Sequence, residues 1–137
     1  IEDVFVAGRR FFSYKNRTLD FQKLGSLPLI FLEKNTSSRS YMDEFLAGNG
    51  VYVQPEFELA TSDMIVQFVR RNLGVGCVMR DFARDYVESG LLFELRFNKI
   101  IPKRQFCVVR NTKMPMAPAA EKLLEIMELD RQEEAKI

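Results

Sequence analysis

Two consecutive stretches of the chain repeat one pattern: a short apolar strand, small hydroxylated residues, then an amphipathic helix. The first runs Pro28-Leu-Ile-Phe-Leu32, then Asn35-Thr-Ser-Ser38, then a helix carrying Tyr41, Met42, Phe45 and Leu46. The second runs Phe57-Glu-Leu-Ala60, then Thr61-Ser62, then a helix carrying Met64, Ile65, Phe68 and Val69, and ends in Asn72-Leu-Gly-Val-Gly76. Strands alternating with helices imply an α/β fold, a largely parallel sheet with helices on its faces. In such sheets ligands bind beyond the carboxyl ends of the strands. Where a strand hands over to a helix, free backbone N–H groups meet the positive end of the helix dipole. Hydroxyls placed there suit an anionic or strongly polar small ligand. Two such junctions side by side predict a binding cleft.

Composition narrows the functions available. Twenty Lys and Arg against 19 Asp and Glu, interspersed, leave a formal charge of +1 and no basic face for gripping nucleic acid. No apolar run approaches the roughly 20 residues of a membrane span. The N-terminus lacks the charged, apolar and small-residue order of a signal peptide, so no membrane contact and a cytoplasmic location are expected. The absence of histidine removes the usual general base and the commonest metal ligand. With no convergent cluster of carboxylates either, no catalytic residue, metal or cofactor is expected. Cys77 and Cys107 each lie in an apolar strand-like run and are expected to pack as free thiols rather than to form a disulfide.

Along the rest of the chain, Val4-Phe-Val-Ala-Gly8 reads as a buried strand, and Arg9 to Gly25 as a covering loop that uses Leu19, Phe21 and Leu24. Cys77-Val-Met79 is a third short strand, followed by a helix from Asp81 to Val87 that Ser89-Gly90 closes. Leu91, Phe93, Leu95 and Phe97 alternate with Leu92, Glu94, Arg96 and Asn98, the period of a half-buried strand. Gln105-Phe-Cys-Val-Val109 reads as another buried strand. A last helix after Pro118 sets Ala120, Leu123, Leu124 and Met127 against Glu121, Lys122, Glu125 and Glu128, and the charged tail from Asp130 to Ile137 is expected to fray.

The order and spacing of these motifs resemble the effector-binding domain of the LysR-type transcriptional regulators. The similarity runs from Val4-Phe-Val-Ala-Gly8 to the helix after Pro118, and is most specific in Pro28-Leu-Ile-Phe-Leu-Glu-Lys-Asn-Thr-Ser-Ser-Arg39. Phe57-Glu-Leu-Ala-Thr-Ser-Asp-Met-Ile-Val66, Leu73-Gly-Val-Gly-Cys-Val78 and Gly90-Leu-Leu follow at family-like spacing. The resemblance implies a type II periplasmic-binding-protein-like fold with a small-molecule effector in the cleft between two lobes, and self-association as dimers or tetramers. DNA contact would run through a helix-turn-helix domain absent from this chain. Set against that pattern, the chain is expected to be a truncated, C-terminal fragment holding one complete lobe and part of the other. Residues 1–26 would supply a crossover strand and connecting loop of the incomplete first lobe, 27–97 the complete second lobe, and 98–137 the return crossover strand and closing helix. The crossover strands would then lack sheet neighbours and be open to exchange between chains. A solute-binding protein for uptake, built on the same architecture, is the alternative.

By that resemblance Asn35, Thr36, Ser37 and Ser38 at the first junction, and Glu58, Thr61 and Ser62 at the second, are the candidate effector-binding residues. At least one hydroxyl of each set is needed to cap a helix, and a cap uses a single side chain. Arg39 either attracts a carboxylate effector or, with Asp43 four residues on, forms an ion pair along the helix, the reading preferred here. Gln67, Arg70 and Arg71 fall on a helix face that the family uses for side-by-side dimer contact, and that a monomer would simply solvate. Gly74 and Gly76 follow a helix rather than precede one, so they read as a helix exit and strand entry, not a phosphate loop.

Overall fold

The computed structural model describes residues 1–127 of the 137, so Glu128 and the tail from Asp130 to Ile137 lie outside the described residues. The chain divides into two compact units, Ile1–Gln105 and Phe106–Ile137.

The first unit is built on strands β1 (Asp3–Ala7), β2 (Thr18–Leu19), β3 (Leu29–Leu32), β4 (Phe57–Leu59), β5 (Val75–Met79), β6 (Phe93–Glu94) and β7 (Arg96–Phe97). Its helices are α1 (Ser37–Gly48), α2 (Ser62–Arg70) and α3 (Arg80–Glu88), and short 3-10 turns cover Arg9–Tyr14 and Phe21–Ser26. Five strands form one sheet in the order β4-β3-β5-β1-β6, while β2 and β7 pair separately and in parallel.

The sheet is parallel where the repeated units predict it, with β3 flanked by β4 and β5. It is antiparallel in its other half, because β1 runs against both β5 and β6, with Val4 opposite Val78 and Val6 opposite Glu94. The largely parallel sheet is therefore corrected to a mixed one. The expectation that the first strand lacks neighbours is corrected too, since β1 is interior and paired on both sides. All five of its residues are buried, as a strand covered on both faces requires.

Alternation along the strands sends side chains into two cores. Phe5, Ala7, Leu29, Phe31 and Val75 face one way and meet Met42 and Leu46 of α1, with Phe21 and Leu24 from the covering turns. Val4, Val6, Ile30 and Val78 face the other way and meet Ile65, Val66 and Val69 of α2 and Ala83 of α3. Gly76 of β5 is what lets α2 lie so close, because a Cβ there would stand 2.6 Å from the Cγ2 atoms of Ile65 and Val69. The exit from α2 is made by Asn72, at φ 60°, rather than by glycine. Its Oδ1 accepts from the Arg10 amide at 3.0 Å, tying the end of α2 to the loop after β1.

The predicted strand from Leu91 is displaced at its start. Leu92, not Leu91, is buried, because the turn at Gly90 (φ 78°) swings it under α3, where its N–H donates to the Tyr86 carbonyl at 3.0 Å. From Phe93 onward the alternation holds, with Phe93 and Leu95 buried and Arg96 exposed.

In the second unit α4 (Pro118–Ile126) forms where the sequence predicts, with Pro118 at its first position, where no N–H is needed. Its apolar face is not buried: Leu123 and Met127 are exposed and Leu124 half-buried. Gln105–Val109, predicted as a buried strand, carries no strand, and Phe106 and Val109 are exposed. An apolar run becomes a strand when a neighbour completes its ladder, and no neighbour pairs with this run among the described residues. Cys107, expected to pack, is accordingly exposed, and both cysteines are free thiols.

Candidate functional site

The carboxyl ends of β3, β4 and β5 lie side by side, and α1 and α2 begin just beyond two of them. Thr36 and Thr61 are the caps. Thr36 Oγ1 accepts from the Arg39 amide at 3.1 Å and donates to the Glu33 carbonyl at 3.2 Å, and Thr61 Oγ1 accepts from the Met64 amide at 3.3 Å. With each cap made by one threonine, the other hydroxyls at both junctions are not needed as caps. Asp63 in the first turn of α2 adds favourable charge at that helix start.

The remaining predicted residues divide by burial. Asn35 and Ser37 are exposed, Ser38 is half-buried, and Ser62 is buried. Ser38 and Ser62, from different helices, line one cavity of about 20 Å³ together with Asp3, Phe31, Arg39 and Cys77. That volume holds about one water or one ligand oxygen.

Arg39 does not point toward a ligand. Its Nε lies 2.9 Å from both carboxylate oxygens of Asp43, and its Nη1 donates to the Leu32 carbonyl and to Glu58 Oε2, each at 2.7 Å. The predicted ion pair with Asp43 forms, and the same guanidinium takes up Glu58, so that candidate ties β4 to α1. Burial alone would lower the Arg39 pKa, but the hydrogen bonds and charges of Asp43 and Glu58 outweigh it and hold the pKa above its ordinary value.

Three residues at this end of the sheet carried no sequence signal. Asp3 sits at the start of β1, opposite Met79 at the end of β5, because those strands are antiparallel. Arg104 reaches it from the segment after Pro102, with Nε 2.6 Å and Nη2 2.8 Å from its oxygens, and Nη2 also donates to Ser38 Oγ at 3.1 Å. The hydrogen bonds to Asp3 outweigh burial and hold the Arg104 pKa above its ordinary value. Backbone bonds between Ile1 and Arg104, at 2.6 and 2.9 Å, fix the two segments together. Cys77 is the third, and burial, with the charge of Asp3 adding, pushes its thiol pKa up. Both guanidiniums are thus committed within the chain to three carboxylates, Asp3, Asp43 and Glu58, which leaves hydroxyls and helix N–H groups as the other donors at this end of the sheet.

The predicted oligomer-contact residues lie together at the C-terminal end of α2 and are braced within the chain. Arg70 Nη1 donates to Gln67 Oε1 at 3.1 Å and its guanidinium stands 4.7 Å from the centre of the Tyr86 ring on α3. Gln67 Nε2 donates to the Tyr86 hydroxyl at 3.4 Å, and Arg71 Nη1 to the Gln67 carbonyl at 3.5 Å. No cluster of potential metal ligands occurs among the described residues, and no helix there is long and apolar enough to cross a membrane.

Comparison with known proteins agrees with this architecture. The sequence pattern of the LysR substrate binding domain matches residues 3–130. The HTH-type transcriptional regulator YeiE of Escherichia coli K12 is 28% identical over 74 residues, 54% of this chain and 25% of that protein. The chain therefore spans about a quarter of the length of that relative. Among solved structures, the regulatory domain of CcmR from Synechocystis PCC6803, in complex with 2-PG, superposes with a TM-score of 0.80 at 17% identity, covering 92% of this chain and 61% of that one. The effector binding domain of QuiR, in complex with shikimate, gives a TM-score of 0.59 at 17% identity, covering 75% of this chain and 47% of that one.

Proposed function

The chain belongs to the LysR substrate binding domain family, and we propose that it senses a small-molecule effector at the sheet end where α1 and α2 begin. The observation that carries this reading is the convergence of Ser38 and Ser62, from separate helices, on one cavity beyond the strand ends. Asn35 and Ser37, exposed beside it, extend the same surface, and Thr36 and Thr61 hold the two helix starts in place. The CcmR and QuiR domains, which share the fold, were each solved with a small molecule bound, which supports a sensing role here.

The cavity admits one ligand atom, so the rest of the effector lies outside it, against surfaces of the parent protein. That parent is read as a cytoplasmic transcriptional regulator that contacts DNA through a separate helix-turn-helix domain and self-associates through the Gln67, Arg70 and Arg71 face. An effector that prefers one arrangement of the assembly shifts its population and so changes how the DNA-binding domains sit. The chain senses rather than catalyses, and the solute-uptake alternative is not favoured.

A thermal-shift screen of the full-length protein against small carboxylates, shikimate included, tests the reading. A ligand of the native state raises the melting temperature in a concentration-dependent way. Replacing Ser37, Ser38 and Ser62 with alanine is expected to abolish the shift while leaving both threonine caps in place. A shift that survives the three substitutions contradicts it.

A further inference from the structure

Charge that alternates evenly along the chain is not evenly placed in space. Residues 9–23 carry Arg9, Arg10, Lys15, Arg17 and Lys23 against a single carboxylate, Asp20, and all five cations are exposed. Asp20 is turned to its own backbone, where it accepts from the Gln22 amide at 2.9 Å. Among the described residues none of the five cations meets a carboxylate, whereas Arg80, Arg84, Lys103 and Lys122 are each ion-paired. Aromatic rings hold three of them instead. The Arg10 guanidinium stands 5.2 Å from the centre of the Phe11 ring, Phe11 stacks on Tyr14 at 6.4 Å, and Lys23 Nζ lies 5.7 Å from the Tyr14 ring. Lys15 Nζ lies 5.3 Å from the Phe12 ring, which meets Phe93 edge-on at 5.8 Å. Cations held over rings are ordered before a partner arrives, so less side-chain entropy is lost on binding. Arg10 Nη1 also donates to the Asn72 carbonyl at 3.3 Å, which satisfies the end of α2 but leaves the charge of Arg10 uncompensated. Because β1 runs against β5, with Val6 opposite Gly76, the turn after β1 starts at the sheet end opposite Ser38 and Ser62. The cationic surface is separate from the effector site.

Resting on the regulator reading above, we propose that the turns Arg9–Tyr14 and Phe21–Ser26 form a phosphate-binding surface for the backbone of duplex DNA, in addition to the contacts of a helix-turn-helix domain. A surface that stacks unpaired bases offers open aromatic faces, and here Phe11, Phe12 and Tyr14 bear cations, which favours a duplex over a single strand. Protein interfaces have an apolar centre depleted of lysine, whereas this surface is cationic throughout. Phosphate contacts of this kind position a protein on a duplex without reading its sequence. The expectation that the chain has no basic face is corrected by the contact of Lys23 with Tyr14, which brings the two turns together.

Full-length protein is titrated with a random-sequence DNA duplex between about 50 and 200 mM salt, and the slope of log affinity against log salt counts the phosphates neutralised. The triple variant Arg10→Gln, Lys15→Gln and Lys23→Gln is expected to reduce that slope by about 2–3, since each phosphate contact contributes about 0.9. The charge-preserving triple variant, Arg10→Lys, Lys15→Arg and Lys23→Arg, is expected to keep it. A charge-matched control outside the surface, Lys34→Gln, Arg84→Gln and Lys122→Gln, is expected to change it by less than about 1. Thermal melts report which variants are folded. If the glutamine triple variant does not fold, Lys15→Gln and Lys23→Gln singly serve, each with an expected reduction of about 1. An unchanged slope in the glutamine variant overturns the proposal and leaves the surface to an acidic protein or to solvent. A slope lost in the charge-preserving variant, or reduced as much in the control, overturns it as well. A wild-type protein that binds no duplex contradicts the regulator reading, and this inference with it.

Discussion

Asp3 and Arg104, 101 positions apart, hold a bidentate ion pair with bonds of 2.6 and 2.8 Å at the sheet end where α1 begins. Their side chains are 5% and 13% exposed, so removing one partner strands the other in a poorly solvated place. Arg104→Ala is expected to lower unfolding stability by about 3–5 kcal/mol, the cost typical of breaking a buried pair. Asp3→Asn combined with Arg104→Met should recover most of that loss. Urea unfolding of the three proteins checks this, and an additive double variant would contradict it.

The glycines separate by what surrounds them. Gly76→Ala puts a methyl 2.6 Å from Ile65 and Val69, and pushing α2 away is expected to cost about 1–3 kcal/mol. Gly48, the last residue of α1, has nothing within 4 Å of its would-be Cβ. Gly48→Ala is expected to stabilise by about 0.5–1 kcal/mol through helix propensity. Thermal melts of the two variants should therefore move in opposite directions.

This contrast shows how the chain can and cannot be read. The two strand–helix units were legible because their strands, caps and helices are local in sequence, and the same holds for the Arg39–Asp43 pair, one helical turn apart. Gly76 was placed correctly after a helix, but its reason, the approach of α2, depends on where the sheet puts that helix. The antiparallel course of β1 has no local signature, so Asp3 could not be assigned to the site. Arg104 joins it from 66 positions beyond Ser38. Gln105–Val109 misled because apolar residues suggest a strand without supplying its neighbour, and Leu92 because a single turn at Gly90 shifts which leucine faces inward.

The caps make a further prediction. Thr36→Ala and Thr61→Ala should each cost about 1 kcal/mol, the usual loss when a capping hydroxyl goes, and Thr→Ser at either position should cost little. Chemical denaturation of the four variants measures this. A penalty equally large for serine would mean that the threonine methyl, rather than the hydroxyl, holds the helix start.

The two thiols should differ in reactivity and in their effect on stability. Exposed Cys107 is expected to react with a maleimide at neutral pH faster than half-buried Cys77, whose thiol is held protonated. Because burial raises the Cys77 pKa above its ordinary value of 9.0, the native state keeps a proton that the unfolded chain releases in alkaline solution. Stability is then unaffected by this group below pH 9.0 and falls as pH rises beyond it. Cys77→Ala should flatten the alkaline limb of a stability profile, and an unchanged limb would contradict the assignment.

The central claim, that an effector is held at the Ser38 and Ser62 junctions, is tested most directly by hydrogen–deuterium exchange of the full-length protein with and without the carboxylate that gives the largest thermal shift. Protection is predicted at residues 35–38 and 61–63, where the two helix starts present their free amides, with the exit of α2 at Asn72 unchanged. Protection confined to other parts of the protein, with both junctions unaffected, would contradict the account.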